Sequence, residues 1–264
     1  MNNTAGMRIM TVNVRHATDP SPNSWEERLP LLEMLLKREA PDIVTTQECF
    51  YGQVKDMLTV LPGYDWLGLG RKGGSGGEYM AIFYRKDRFE LLEYDHYWLS
   101  ATPNVIGSVT WGNAAPRMVT WGRFHDRETK RSFYLCNTHF DHKSPESRVL
   151  AAQLMVERAK SFDPELPVII AGDFNVGPDS EAYGAFTREG GFTDTWLSAG
   201  ETIGEGLGTF NNFNNPAGRG PSWRIDWILT RGPVAVQRIQ IVSDIIQGRF
   251  PSDHYPLVAE LQLS

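Results

Sequence analysis

Asp173 and Asn175 stand directly behind the run Val168, Ile169, Ile170 and Ala171, in the stretch VIIAGDFNV. Such a run is short enough for a strand buried on both faces, and Gly172 ends it. An acid and an amide do not sit cheaply inside a buried strand. The chain must therefore deliver both at the strand's carboxyl end, where open α/β sheets place their ligand sites. A turn in which both side chains bond their own backbone would explain the same residues. The two readings separate on whether other reactive groups converge on the same place.

Other polar residues recur in the same position. Asn13 follows the apolar positions of MRIMTVNV, which runs on into the charged pair Arg15 and His16. Glu48 closes DIVTTQE, His139 closes SFYLCNTH, Asp226 lies in WRIDWILT, and Asp253 with His254 sits in PSDHYP. Any one of them is ordinary as a satisfied core group or a cap. Eight at strand ends is different, because carboxylates gathered in one cleft repel unless a cation or an imidazolium sits among them. Oxygen ligands from Glu48 and Asp253, with the amide of Asn13, suit Mg2+ or Mn2+, which keep waters and take phosphate oxygens. Zinc on His139 and His142 of HFDH is disfavoured, since the spacing is not a helical i, i+4 pair and no thiolate is near. His142 reads as a loop residue.

The positioning elements follow from periodicity and breakers. Strands are expected over residues 7–14, 42–48, 79–85, 89–100, 117–124, 132–139, 168–171, 223–230, 234–243 and 257–263. Ser24 and Glu27 match a capping box for a helix that Pro30 disturbs and Pro41 stops. Further helices are expected over 51–61, behind Ser144 and Pro145, and over 179–188. The glycine-dense stretch 62–79 reads as a flexible loop within one domain, bordering a site, and 200–222 as a long irregular loop. The chain falls into two halves, each with strands, helices and a strand-end DH or TH pair.

Composition sets the outer limits. With 264 residues, 41% apolar and 11% aromatic, the chain can bury a substantial core. Lys and Arg number 26 against 32 Asp and Glu, a net charge of -6, which argues against strong non-specific binding of long duplex nucleic acid. The amino-terminal stretch lacks the pattern of a secretion signal and no window approaches a membrane span, so a cytoplasmic protein without membrane or obligate protein partner is expected. Cys49 and Cys136 have no CxxC spacing and read as buried free thiols.

Taken in order, TVNV with Asn13, QE with Glu48, NTH with His139, GDFN with Asp173 and Asn175, RIDWI with Asp226, and SDH with Asp253 and His254 form a specific set. It resembles the endonuclease/exonuclease/phosphatase superfamily, the deoxyribonuclease-I-like phosphoesterases, from about Met7 to Leu263. The resemblance implies an α/β four-layer sandwich, with two mixed β-sheets face to face and helices outside. One domain is expected over 1–264, with 1–6 as a disordered tail. The implied activity is Mg2+- or Mn2+-dependent hydrolysis of phosphate esters. A phosphodiesterase or nuclease acting on a small or single-stranded substrate comes first. A sugar or inositol phosphomonoesterase, or a phospholipid phosphodiesterase, is the alternative.

Roles carry over by position. Glu48 would bind the cation with Asn13 and Asp253 near it. Asp173 would orient or deprotonate the attacking water, and Asn175 would hold a phosphate oxygen. Asp226 would pair with His254, and His139 would be the second phosphate-facing histidine with Glu78 as its partner. Arg117 would bind phosphate. An inactive phosphate-binding module is the competing class, but such a module should lose its charged site residues first, and every expected one is present.

Overall fold

The computed structural model describes residues 6–263, so positions 1–5 of the expected tail lie outside the described residues. Gly6, also counted in that tail, is held in place: its carbonyl accepts from Arg88 Nη1 at 3.1 Å. Among the described residues the apolar runs form strands β1 (Met7–Asn13), β2 (Ile43–Gln47), β3 (Tyr64–Leu67), β4 (Ile82–Arg85), β5 (Phe89–Trp98), β6 (Met118–Asp126), β7 (Arg131–His139), β8 (Val168–Asp173), β9 (Thr193–Asp194), β10 (Glu201–Ile203), β11 (Asp226–Arg231), β12 (Val234–Ile241) and β13 (Leu257–Leu263). Helices α1 (Trp25–Glu39), α2 (Tyr51–Val60), α3 (Pro145–Ala159), α4 (Glu181–Gly184) and α5 (Thr195–Ser198) join them.

One sheet runs β10-β12-β13-β1-β2-β4-β3 and the other β5-β6-β7-β8-β11-β9. Each has a parallel pair at its heart, β1 with β2 and β7 with β8, flanked by antiparallel neighbours. Side chains alternate across a strand, and the alternation divides the layers. In β8, Ile169 and Ala171 join the core between the sheets, while Val168 and Ile170 join the cluster under α3. Ile9, Ile43 and Ile82 of the first sheet share the inner core with Leu135, Ile169 and Ile228 of the second. Each such burial contributes roughly 1.5–3 kcal/mol against exposure. Leu32, Leu35, Val54 and Met57 of α1 and α2 cover the first sheet's outer face, and Ala151, Ala152 and Met155 of α3 cover the second. The four-layer sandwich follows.

Several local expectations are corrected. Ser24 does not cap α1 with its side chain; its Oγ donates to Glu27 Oε2 at 3.0 Å. Pro30 is tolerated inside α1 because it and Glu26, whose carbonyl loses its partner, both lie on the exposed side. The 62–79 stretch contains edge strand β3, and its glycine segment is tightly bonded: Gly70 N donates to Gly74 O, Lys72 N to Gly76 O and Arg71 N to Glu78 O. The 200–222 stretch contains β10, paired in parallel with β12. The strand expected from Trp223 starts at Asp226, after a short 3-10 turn over Pro221–Trp223. Both cysteines are buried and free. No described helix is long and apolar enough to cross a membrane.

Gly172 is where fold and site meet. A Cβ there would collide with the carbonyl oxygen of Thr138 on β7, so only glycine lets β7 and β8 approach this closely. Gly172→Ala should destabilise the protein by about 1–3 kcal/mol, the usual cost of overpacking, and lower the melting temperature by several degrees. Gly206→Ala, with nothing within 4 Å of the added carbon, should change it little. Equal melting temperatures for the two variants would refute the close-approach argument.

Candidate active site

Strand direction brings the polar residues to one rim. Parallel β1 and β2 end together, with Asn13 opposite Gln47, and parallel β7 and β8 end with His139 opposite Asp173. Antiparallel β11 arrives from the other direction, so Asp226 at its amino end lies opposite Asp173. The loop before β13 adds Asp253 and His254. Glu48, Glu78, Arg117, His139, Asp173, Asn175, Asp253 and His254 all line one cleft of about 650 Å3, and Asn13 and Asp226 sit buried behind its floor.

Asp173 divides its two oxygens. Oδ1 accepts from the backbone N–H of Asn175 at 2.9 Å, the local turn that GDFN suggests on its own. Oδ2 faces the site, accepting from Asn13 Nδ2 at 3.0 Å and lying 3.4 Å from His139 Nε2 and 3.8 Å from His254 Nε2. Burial, with the Asp226 carboxylate beside it, pushes the Asp173 carboxyl up to about 7. A carboxylate poised there is suited to take a proton at neutral pH.

His254 Nδ1 lies 2.9 Å from Asp226 Oδ2. Burial alone would lower the imidazole's pKa, but the Asp226 and Asp173 carboxylates outweigh it and raise the ring to about 10. His254 is thus an imidazolium at neutral pH. His139 goes the other way: burial, then the charges of Arg117 and Arg71, hold it well below its ordinary value, and it stays neutral. Asp173, Asp226 and His254 offer atoms within 4.8 Å of one another. Within the trio His254 Nδ1 contacts Asp226 Oδ2 and Asp173 Oδ2 accepts from Asn13, a hydrogen-bonded arrangement suited to acid–base work.

The other end of the cleft carries the remaining acids. Glu48 Oε1 accepts from Asn13 Nδ2 at 3.1 Å, while Asn13 Oδ1 accepts from the Arg15 backbone N–H at 3.0 Å. Asn13 therefore turns its NH2 group to both Glu48 and Asp173, bridging the two sheets. Burial opposes ionisation of Glu48, but the Asn13 hydrogen bond and the charges of His254, Arg15 and His16 prevail and hold it below the usual range. Arg15, Glu48 and Asn175 all adopt left-handed backbone, with φ of 57°, 59° and 52°, a costly conformation concentrated at this cleft.

Arg117 is 4% exposed, and its Nε and Nη1 have no hydrogen-bond partner; Nη2 lies 3.2 Å from His142 Nδ1. It is not an exposed strand-edge charge. Glu78 is nearer to Arg71, at 2.7 Å, than to His139 Nδ1, at 3.9 Å and beyond hydrogen-bond reach, so Arg71 is its ionic partner here. Sequence reasoning missed Arg15, His16, Arg71, His142, Phe210 and Phe213 as cleft residues. Arg15 and His16 could have been found, since they directly follow Asn13. Phe210 and Phe213 sit in irregular chain without periodic signal.

The Asp226–His254 contact generates a prediction with a definite sign. Removing the carboxylate removes an interaction that favours the protonated ring, so Asp226→Asn should lower the His254 titration midpoint from about 10 by at least about one unit, followed by NMR of the imidazole. Because the folded-state value lies above the unfolded value of about 6.5, the pair's stabilisation is complete below that pH and fades as pH rises towards 10. The variant's loss of melting temperature should therefore be greater at pH 6 than at pH 10. An unchanged midpoint would rule out the pairing.

Comparison with known proteins agrees with this geometry. Residues 10–254 match the model of the Endonuclease/Exonuclease/phosphatase family. A mannosyl-6-phosphatase from Bacteroides thetaiotaomicron is 36% identical, with a TM-score of 0.90 over 97% of this chain and 99% of that one. An endonuclease/exonuclease/phosphatase from Bacteroides vulgatus is 34% identical, with a TM-score of 0.92 over 98% and 100%. Protein angel of Drosophila melanogaster is 28% identical over 89% of this chain and 72% of its own length. With the sheet order, the cleft and the family match in agreement, the chain belongs to the endonuclease/exonuclease/phosphatase family.

Proposed function

We propose that this chain is a divalent-cation-dependent phosphoesterase whose substrate is small, a phosphorylated sugar before others. The observation that carries the reading is Arg117, a buried guanidinium whose Nη1 has no partner and whose Nε has only the Asp141 carboxylate at 3.8 Å, in the cleft that holds His139, Asn175 and His254. Buried unpaired donors are costly, and an anion with several acceptor oxygens relieves that cost. In this reading Asp173 takes the proton of the attacking water. His254 as imidazolium, the second amide hydrogen of Asn175 and Arg117 hold phosphoryl oxygens, with His139 facing the same group. Asn175 is aimed by its first amide hydrogen, donated to Phe140 O at 3.0 Å.

Glu48 and Asp253 are the residues that would hold Mg2+ or Mn2+, with Asn13 orienting Glu48 from behind. Their donor set fits a hard cation: carboxylate oxygens only, on an open cleft that admits water. When bound, the cation offsets negative charge gathering on the phosphoryl group.

Two features support a sugar phosphate. One of the relatives that are 36% identical over nearly the whole chain is a mannosyl-6-phosphatase. Phe210, its ring 5.0 Å from that of His254, and Phe213 give the cleft an apolar wall beside the reacting group, suited to one face of a sugar ring. A second reading, a short single-stranded phosphodiester, is favoured by Arg219 lying 4.8 Å from the Phe210 ring and 4.5 Å from that of Trp223. That stack, with Trp223 40% exposed, offers a base a platform. Long duplex is disfavoured by the net charge of -6.

Steady-state rates on hexose 6-phosphates, short single-stranded oligonucleotides and plasmid duplex separate these readings. We expect a sugar phosphate to lead in kcat/KM by at least about tenfold, and all activity to be lost with excess EDTA. A plasmid that leads would overturn the charge argument. Glu48→Gln should weaken Mn2+ binding measured by calorimetry, whereas Asp173→Asn should cost on the order of 10²–10⁴ in kcat with binding largely kept. Unaltered Mn2+ affinity in Glu48→Gln would remove Glu48 from the cation site.

A further inference from the structure

The cation end of the cleft already contains a cation. Arg15 Nη1 lies 3.7 Å from Glu48 Oε2 and 3.8 Å from Asp253 Oδ2, within ion-pair distance of both acids assigned above to the metal. The rest of the guanidinium is tethered: Nε and Nη2 donate to Asp19 at 2.7 and 3.0 Å. The backbone is clamped as well, in a left-handed conformation that an arginine adopts only under constraint. Its carbonyl accepts from Arg28 Nη2 and Gln53 Nε2, both at 2.9 Å, and its N–H donates to Asn13. So many fixed contacts specify where this charge sits.

We propose that Arg15 is a built-in counter-cation of the metal site, one that competes for Glu48 and Asp253 and thereby sets the site's affinity for the divalent ion. The inference rests on the metal reading above. Without the ion, the guanidinium keeps two close carboxylates from repelling each other and distorting the cleft. With the ion present, a third positive charge beside the two acids disfavours it, and the Asp19 carboxylate draws the guanidinium away and reduces that penalty. Asp19 therefore acts through Arg15, as a positioning residue for the competing charge.

Calorimetric titration of the intact protein with Mn2+ alone, without substrate, tests this. Arg15→Gln keeps the backbone contacts and removes the charge, and should tighten Mn2+ binding by about tenfold. Asp19→Asn frees the guanidinium and should weaken binding by a similar factor, while the double variant should bind close to Arg15→Gln. Melting temperatures without metal check that each variant is folded, and the shift on adding Mn2+ gives a second measure of affinity. Equal or weaker binding by Arg15→Gln overturns the proposal and leaves the metal site standing. Wild-type protein that binds no Mn2+ overturns both. Tightening in Arg15→Gln with no effect of Asp19→Asn would keep the competition and reject the tether.

Discussion

The site is organised around an electrostatic conflict. Asp173 and Asp226 are directly opposite across the β8–β11 pair and both are buried, an arrangement in which like charges destabilise a sheet. Two neighbours resolve it. His254 stands 2.9 Å from one acid and 3.8 Å from the other, and Asn13 donates to Asp173 from the opposite sheet. The loop carrying His254 is fixed in turn, with Tyr255 N donating to Thr209 O and Asn211 Nδ2 to Ser252 O. Resolving one repulsion thus draws β1, β8, β11 and the loop before β13 to a single point.

Holding the two sheets in the register this demands falls partly to polar groups beneath the cleft. Gln47 Nε2 donates to Thr11 Oγ1 and, across the interface, to Asn137 Oδ1 at 2.7 Å. Asn137 Nδ2 donates back to the carbonyls of Thr46 and Ala81. An apolar interface tolerates small slides, whereas a buried amide that loses its partner costs about 1–3 kcal/mol. These amides make the relative position of the sheets specific just where β1, β2 and β7 end.

The strand ends were legible in the sequence because burial and ionisation conflict so strongly. Asp173 after VIIAG, Glu48 after DIVTTQ and His139 after SFYLCNT are each ordinary alone, but together they point to strands stopping at one polar place, and all three reach the cleft. Short edge strands were not legible: β3 lies in a glycine-dense stretch, and β9 and β10 span two and three residues, too few for any period. The partner of Glu78 was hidden for another reason. The family pattern pairs it with His139, but a bonded glycine turn places Arg71 nearer, and no periodicity encodes such a turn. Arg15 carried a visible signal in its position beside Asn13, but the left-handed turn that aims it back at Glu48 depends on contacts with Arg28 and Gln53 from distant parts of the chain.

Glu48 and Asp173 accept from the same Asn13 amide group, yet their acidities are displaced in opposite directions. The hydrogen bond cannot be the cause of the difference, since both have it. Their neighbours differ. Asp173 lies on the closed floor beside a second carboxylate, where the charged form is disfavoured and a proton is held until near neutral pH. Glu48 lies at the rim, next to Arg15 and His16, where the charged form is favoured. A group that gains and loses a proton near pH 7 is fitted to move protons, and a group that stays ionised is fitted to hold a cation. The proposed division of labour between the two acids would follow from which sheet carries each one and how far it stands from Asp226.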